Sequence, residues 1–232
     1  MSDDVARLAE QEEAERREGS LVFALVKELF EEPLQGRFDL AHLRAIHAYL
    51  FQDLPHHRPG VVRSDPDGWN KARELEGRGP SQVVRYVHRR IGARIGSVLR
   101  KFGGPDALRD RGLDEAVALL ARLYGDLDHA HGFHEGNSRT LREFTRELAD
   151  AAGFQLDWTR VGMTAEARNA LYVARDVAVP ERAFPGLTED RAMATDDRHE
   201  YESWWHLEKL RKFQDDRTLE RIVRGAPLPG GV

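Results

Sequence analysis

An all-α fold is what this sequence predicts, on three observations. Apolar residues recur at helical spacing in several separate segments, and capping residues with Pro and Gly stops bracket those segments. No stretch shows the alternation of a convincing strand pair, so a small hairpin flap is the one β element with room to form.

Taken in order, the first twenty residues, MSDDVARLAEQEEAERREGS, carry mixed charge with almost no apolar stripe and read as a helical or frayed lead. LVFALVKELF, from Leu21 to Phe30, is a nearly continuous apolar helix closed by Pro33 and Gly36. FDLAHLRAIHAYLF sets Leu40, Leu43, Ile46 and Leu50 on one helical face, with Asp39 where an N-cap belongs. Pro55 to Pro80 is loop punctuated by proline and glycine, with space for the short hairpin. Another helix is expected between Gln82 and Phe102, and a strong one from Asp114 to Leu127, where Val117, Leu120, Leu123, Tyr124 and Leu127 repeat. After a histidine-rich connection, Leu141, Phe144, Leu148 and Ala152 mark a further amphipathic helix ended by Gly153. A weaker helix from Thr164 to Val177, a broken loop and a Trp-rich helix near Ser203 to Phe213 complete the chain. This organisation predicts a charged lead over residues 1–19, a core over 20–160 and a helical extension over 161–232.

Composition narrows the function classes. The 232 residues are 41% hydrophobic and 32% charged, the balance of a globular protein with a substantial core. A net charge of -5 argues against bulk attraction to nucleic acid. The chain has no cysteine, which removes disulfide and thiolate chemistry and suits a reducing compartment. There is no apolar run of membrane-spanning length, and the N-terminal stretch lacks the layout of a signal peptide. A cytoplasmic protein is expected, with secretion as an effector left open.

The chemistry concentrates in residues 129 to 142, HAHGFHEGNSRTLR. A helix begins near Ser138, so His131 to Asn137 form the loop ahead of it. A helix start offers unpaired N–H groups and the positive end of the macrodipole. Gly136 allows close approach of the backbone, and Asn137 with Ser138 can cap it, which together make an anion nest. Arg139 and Arg142 stand on one face of the first turn, placed to fork onto further phosphate oxygens. Glu135 is a single carboxylate suited to a Mg²⁺ that keeps most of its waters and bridges phosphates. His131 can take a proton from an incoming hydroxyl. Those are the parts of phosphoryl or nucleotidyl transfer. The pieces taken singly also fit ordinary capping and solvated arginines. A zinc site from His129, His131, His134 and Glu135 is a further alternative, although no additional ligand stands out elsewhere. His56 and His57 read as exposed loop residues rather than ligands, and the basic run from Arg78 to Lys101 as a solvated helix face.

The ordered string HGFHEGNSRTLR resembles the signature of the Fic family, His-Pro-Phe-x-Asp/Glu-Gly-Asn-Gly-Arg-x-x-Arg between two helices. His131, Phe133, Glu135, Gly136, Asn137, Arg139 and Arg142 match in register. The likeness extends upstream over Pro33 to Leu54 and downstream over Arg142 to Trp158, about residues 20 to 160 in all. What the resemblance implies is a helical core that binds ATP with Mg²⁺ and transfers AMP to a Ser, Thr or Tyr hydroxyl of a target protein. His131 would be the base and Phe133 the anchor of the loop. Glu135 would hold the metal, and Gly136, Asn137, Ser138 and Arg139 would cradle phosphates. Arg139 and Arg142 would stabilise the departing pyrophosphate.

The chain departs from that pattern at three places. Gly132 replaces proline. Ser138 stands where most members have glycine and the phosphorylating Doc-like branch has lysine, which leaves phosphotransfer and a catalytically silent nucleotide-binding module as alternatives. The segment from Pro55 to Gln82, where members carry a target-binding flap, does not align. Many Fic proteins also carry an inhibitory helix, Ser/Thr-x-x-x-Glu-Gly/Asn, whose glutamate pairs with the second motif arginine. AERREG, Ala14 to Gly19, resembles it apart from Ala14, making Glu18 the candidate inhibitory residue. A separate small inhibitor protein is the other route the resemblance implies.

Overall fold

The computed structural model describes the whole chain except residues 1, 65–68, 74–81, 88, 160, 162–163, 215–217 and 226–232. Helix α1 (Ser2–Glu31) joins the charged lead and the apolar segment into one rod. Its buried positions, Val22, Leu25 and Leu29, follow helical spacing and pack on the core, while Leu21, Phe23 and Phe30 face outward. Two polar ties hold its C-terminal half. The Leu29 carbonyl accepts from Arg146 at 2.9 Å, and Glu28 accepts from the Tyr49 hydroxyl at 2.7 Å.

Helix α2 (Leu40–Leu50) starts where expected, with the Asp39 side chain accepting from the backbone N–H of His42. Leu43, Ile46 and Leu50 are buried as their spacing requires. A short 3-10 turn, Pro55–His57, follows. The hairpin is present: β1 (Trp69–Arg73) pairs antiparallel with β2 (Gln82–Tyr86), with Trp69 opposite Tyr86. Gln82–Tyr86 is therefore not helical, in contrast to the expected helix over Gln82 to Phe102. The Val-Val-Arg-Tyr run favours a pleated strand once a partner is available, and helix α3 (Ile91–Phe102) begins only after Arg90. Arg78, at the start of the basic run, lies outside the described residues; Arg89, Arg90, Arg94, Arg100 and Lys101 are solvent-exposed.

Helices α4 (Leu113–Ala130) and α5 (Asn137–Ala151) form the centre. Val117, Leu120, Leu123, Tyr124 and Leu127 of α4 are all buried, as are Leu141, Phe144 and Leu148 of α5. Gly153, at φ 88°, closes α5: Gly153 N–H donates to Asp150 and Phe154 N–H to Ala149, the paired bonds of a Schellman end. Helix α6 (Ala165–Ala183) runs past the expected stop at Val177 and through Pro180. Proline removes one helical bond, but Val177, Ala178 and Val179 are buried against three different neighbours, and that burial holds the turn together. Helix α7 (Glu189–Ala194) leads to α8 (Arg198–Gln214), whose Trp204, Leu207 and Leu210 form a second cluster with Val177. The last helix, α9 (Leu219–Gly225), returns Leu219 and Val223 to the main core.

Candidate active site

The loop between α4 and α5 sits on a buried polar scaffold. His131 ends α4 in the left-handed region, φ 45°, with its N–H still bonded to Leu127 and Asp128 carbonyls. Histidine tolerates that conformation better than most residues, but it is strained and must be held. Arg63 holds it. This guanidinium, 2% exposed, donates to the carbonyls of Ala130 (3.2 Å), His131 and Val87, and the Arg63 N–H donates to Gly132 at 2.9 Å. A cation thus meets the negative end of the α4 dipole and ties it to the exit of the hairpin.

Asp128, one turn back on α4, receives a fork from Arg175 of α6, with Nε at 2.9 Å. Burial alone would raise the Asp128 carboxyl, but the adjacent Arg175 charge outweighs it and holds the group well below the usual carboxylate range. Asp128 Oδ1 lies 3.8 Å from His131 Nδ1, so the buried carboxylate sits beside the imidazole. The Tyr86 ring, brought by β2, stacks on the His131 imidazole at 3.9 Å and leaves it 2% exposed.

Phe133 is buried and stacks on His47 at 3.8 Å and 13°. His47 Nδ1 accepts from Gly60 N–H at 2.9 Å, so its Nε2 carries the proton and donates to the Glu135 carbonyl at 3.1 Å. Burial pushes His47 down to about 4, against the raising effect of that carbonyl bond, and keeps the ring neutral. Asn137 also belongs to this scaffold. Its side chain bonds both ways with the Phe133 backbone, accepting at 2.9 Å and donating at 2.6 Å. It therefore braces the loop instead of capping α5, because the loop returns Phe133 within reach. The N-cap position is Gly136, at φ 77° and without a side-chain cap bond. A Cβ at Gly136 would run into the Phe51 ring, so glycine is required twice over. Ser138 does not cap either; its hydroxyl stands 3.3 Å from that of buried Tyr124.

Eight residues singled out from the sequence line one cavity of about 360 Å³: Glu18, His131, Glu135, Gly136, Asn137, Ser138, Arg139 and Arg142. His56, His57, Tyr172 and Arg175 complete it. The exposed Glu135 side chain shares the cavity with the first turn of α5 and two arginines, a donor set that fits a phosphate-bridged Mg²⁺ with one protein carboxylate. Arg142 lies deep in the site, where burial lowers its pKa, and donates to the Ser138 carbonyl at 3.3 Å. Arg139 lies over the Phe51 ring, 5.7 Å from its centroid.

Two expectations are overturned, and one alternative falls away. His57 is buried, and both His56 and His57 reach Glu18, at 3.3 and 2.8 Å. Glu18 faces Arg139 at 3.6 Å, the first motif arginine and not the second, because Arg142 is turned inward. The zinc alternative built on His129, His131, His134 and Glu135 is not assembled. His129 is sequestered, pushed down to about 4 by burial and by Arg94 and Arg182, and His134 turns to Arg58 at 3.2 Å. Among the described residues the group that converges is instead Glu18, His56 and His57. Arg63, His47, Asp128, Arg175 and Tyr86 were not singled out from the sequence; the short helical pattern around His47 and the Asp-His pair at 128–129 were the available hints.

The Fic/DOC family model matches residues 37–149, which run from just before α2 to the last turn of α5. The protein adenylyltransferase VbhT of Bartonella schoenbuchensis is 30% identical over 66% of this chain, and a protein adenylyltransferase of Bartonella henselae is 32% identical over 57%. The chain spans only 30% and 25% of the length of those two relatives. Among solved structures, the ADP-bound N-terminal Fic domain of a VirB-translocated Bep effector from Bartonella quintana superposes with a TM-score of 0.58 at 27% identity, over 72% of this chain and 78% of that one. Described residues include no helix long and apolar enough to cross a membrane. The motif in register, the helical core that presents it and these likenesses together identify residues 37–149 as a domain of the Fic/DOC family.

Proposed function

We propose that this protein transfers AMP from ATP to a Ser, Thr or Tyr hydroxyl of a target protein. The observation that carries the reading is a single pocket holding a histidine backed by a buried carboxylate, the open N-terminus of α5, one exposed carboxylate and two arginines. The relatives named protein adenylyltransferase and the ADP in the Bartonella quintana domain support it.

His131 Nε2 takes the proton of the target hydroxyl as its oxygen bonds to the α-phosphorus and the bond to the β-phosphate oxygen breaks, releasing pyrophosphate. Asp128, fixed by Arg175, keeps the imidazole oriented and favours its protonated form in the transition state. The N–H groups following Gly136 and the side chains of Ser138, Arg139 and Arg142 receive the phosphate charge. Glu135 is the residue that would hold Mg²⁺, which neutralises phosphate charge when bound. Glu18, contributed by the lead over residues 1–19, acts as an inhibitory residue by occupying Arg139 and narrowing the site; a separate small inhibitor protein is the alternative route. The setting is the cytoplasm, of the producing cell or of a cell into which the protein is delivered.

The test is labelling of a cell lysate with ATP and Mg²⁺, comparing label at the α and γ positions. Label from the α position alone is expected, stronger with Glu18→Gly. His131→Ala should lose transfer by about 10²-fold or more while still binding ATP. Label from γ alone would replace AMP transfer with phosphorylation, and full activity in His131→Ala would remove the base.

A further inference from the structure

One cluster beside the pocket has a chemistry that phosphate handling does not use. Glu18 on α1 meets His56 and His57 on the 3-10 turn after α2, across 38 and 39 positions of sequence. One carboxylate oxygen and one nitrogen of each histidine lie within 4.8 Å of one another. Two imidazoles and one carboxylate are a donor set for zinc and its first-row neighbours, with a fourth position left for water. The same set does not suit Mg²⁺, which prefers six oxygens. We propose that Glu18, His56 and His57 form a site for a zinc-class divalent cation that clamps the N-terminal half of α1 across the rim of the pocket.

The surroundings are built for such a clamp. His57 is fixed by stacking on Phe51 at 4.7 Å and 25°, and Phe51 in turn underlies Gly136 and Arg139. His56 is the outer member, its side chain 65% exposed, which leaves an entry path for the ion. The Glu18 side chain is only 23% exposed. Arg139 stands 3.6 Å from Oε1, and the carboxylate has lone pairs enough to keep that contact while binding a cation. Toward the C-terminus α1 is already anchored by Val22, Leu25, Leu29 and the Arg146 bond. Among the described contacts, Glu18 is what ties the preceding turns to the pocket, and a cation there would set how firmly they close.

The regulatory consequence rests on the AMP-transfer reading; the metal site itself does not. Equilibrium dialysis of the full chain against Zn²⁺, in millimolar Mg²⁺, is expected to give one ion per chain. Affinity should fall by more than about tenfold in His56→Ala and in Glu18→Gln. Hydrogen exchange at the backbone of residues 13–20 should slow on adding Zn²⁺ to the wild type and not to either variant. Substoichiometric binding, or unchanged binding in both variants, overturns the site. Zinc that binds without slowing exchange at residues 13–20 overturns the clamp. In the labelling assay Zn²⁺ should slow transfer by the wild type and leave His56→Ala unaffected. Loss of labelling under all conditions would count against the transferase reading while dialysis and exchange still decide the site.

Discussion

At the scale of single residues, Arg63 shows how far a catalytic loop depends on groups outside its motif. Two carbonyls at the end of α4 and that of Val87 at the exit of the hairpin converge on one place, and a fork of N–H groups satisfies them with a charge of the right sign. Arg63→Met leaves those carbonyls buried and unsatisfied, and is expected to cost about 2–4 kcal/mol in chemical denaturation. Arg63→Lys should recover only part, since an ammonium cannot reproduce the planar fork. An unchanged midpoint in Arg63→Met would remove the clamp from the account. Nothing in the sequence marks this arginine, because its importance lies in where residues 87 and 130 to 132 arrive. The left-handed His131 and Gly136 are different in kind. Gly136 is legible as a glycine of the motif, but the reason it cannot be replaced, the Phe51 ring beneath it, is not.

Among the elements, α2 does two jobs that its amphipathic pattern reveals only in part. Leu43, Ile46 and Leu50 are read directly from the spacing, and the Asp39 cap from its position. The other face carries His47 and leads into Phe51, which support Phe133, Glu135 and Gly136 from below. Asp39→Ala should lower stability by about 1 kcal/mol through the lost bond to His42 N–H, with the loop chemistry intact in the folded protein. Thermal melts and labelling at low temperature check both halves of that statement. Gln82–Tyr86 is a strand and not the expected helix, because a five-residue run of β-branched and aromatic character is ambiguous until its partner is known. Its consequence is direct, since the hairpin delivers Tyr86 onto His131.

For the molecule as a whole, buried histidines link stability to pH. His47 and His129 are both pushed down to about 4, chiefly by burial, whereas in the unfolded chain they titrate near 6.5. Between those values the unfolded chain binds protons that the folded one refuses. Stability is therefore full above about pH 6.5 and declines as the pH falls toward 4, by on the order of 3 kcal/mol for each group. Urea midpoints measured across that range should fall with acidity, and His47→Asn should flatten the slope. A midpoint independent of pH would contradict this. The Asp128–Arg175 pair adds to the slope only toward pH 4, where the Asp128 carboxyl of the unfolded chain begins to take up protons while the folded one stays ionised.

The sequence by itself determined the helical class, most helix positions, the caps at Asp39 and Gly153, and the loop and helix start that carry His131 to Arg142. Those features depend on local spacing, which a helix converts directly into a face or a first turn. Tertiary structure decided the rest: that Asn137 braces the loop instead of capping, that Arg142 turns inward and leaves Arg139 to Glu18, and that His56 and His57 meet a residue 38 and 39 positions away. Each of those outcomes depends on which of several polar groups is brought within hydrogen-bond range when the helices pack, and no local pattern encodes that choice.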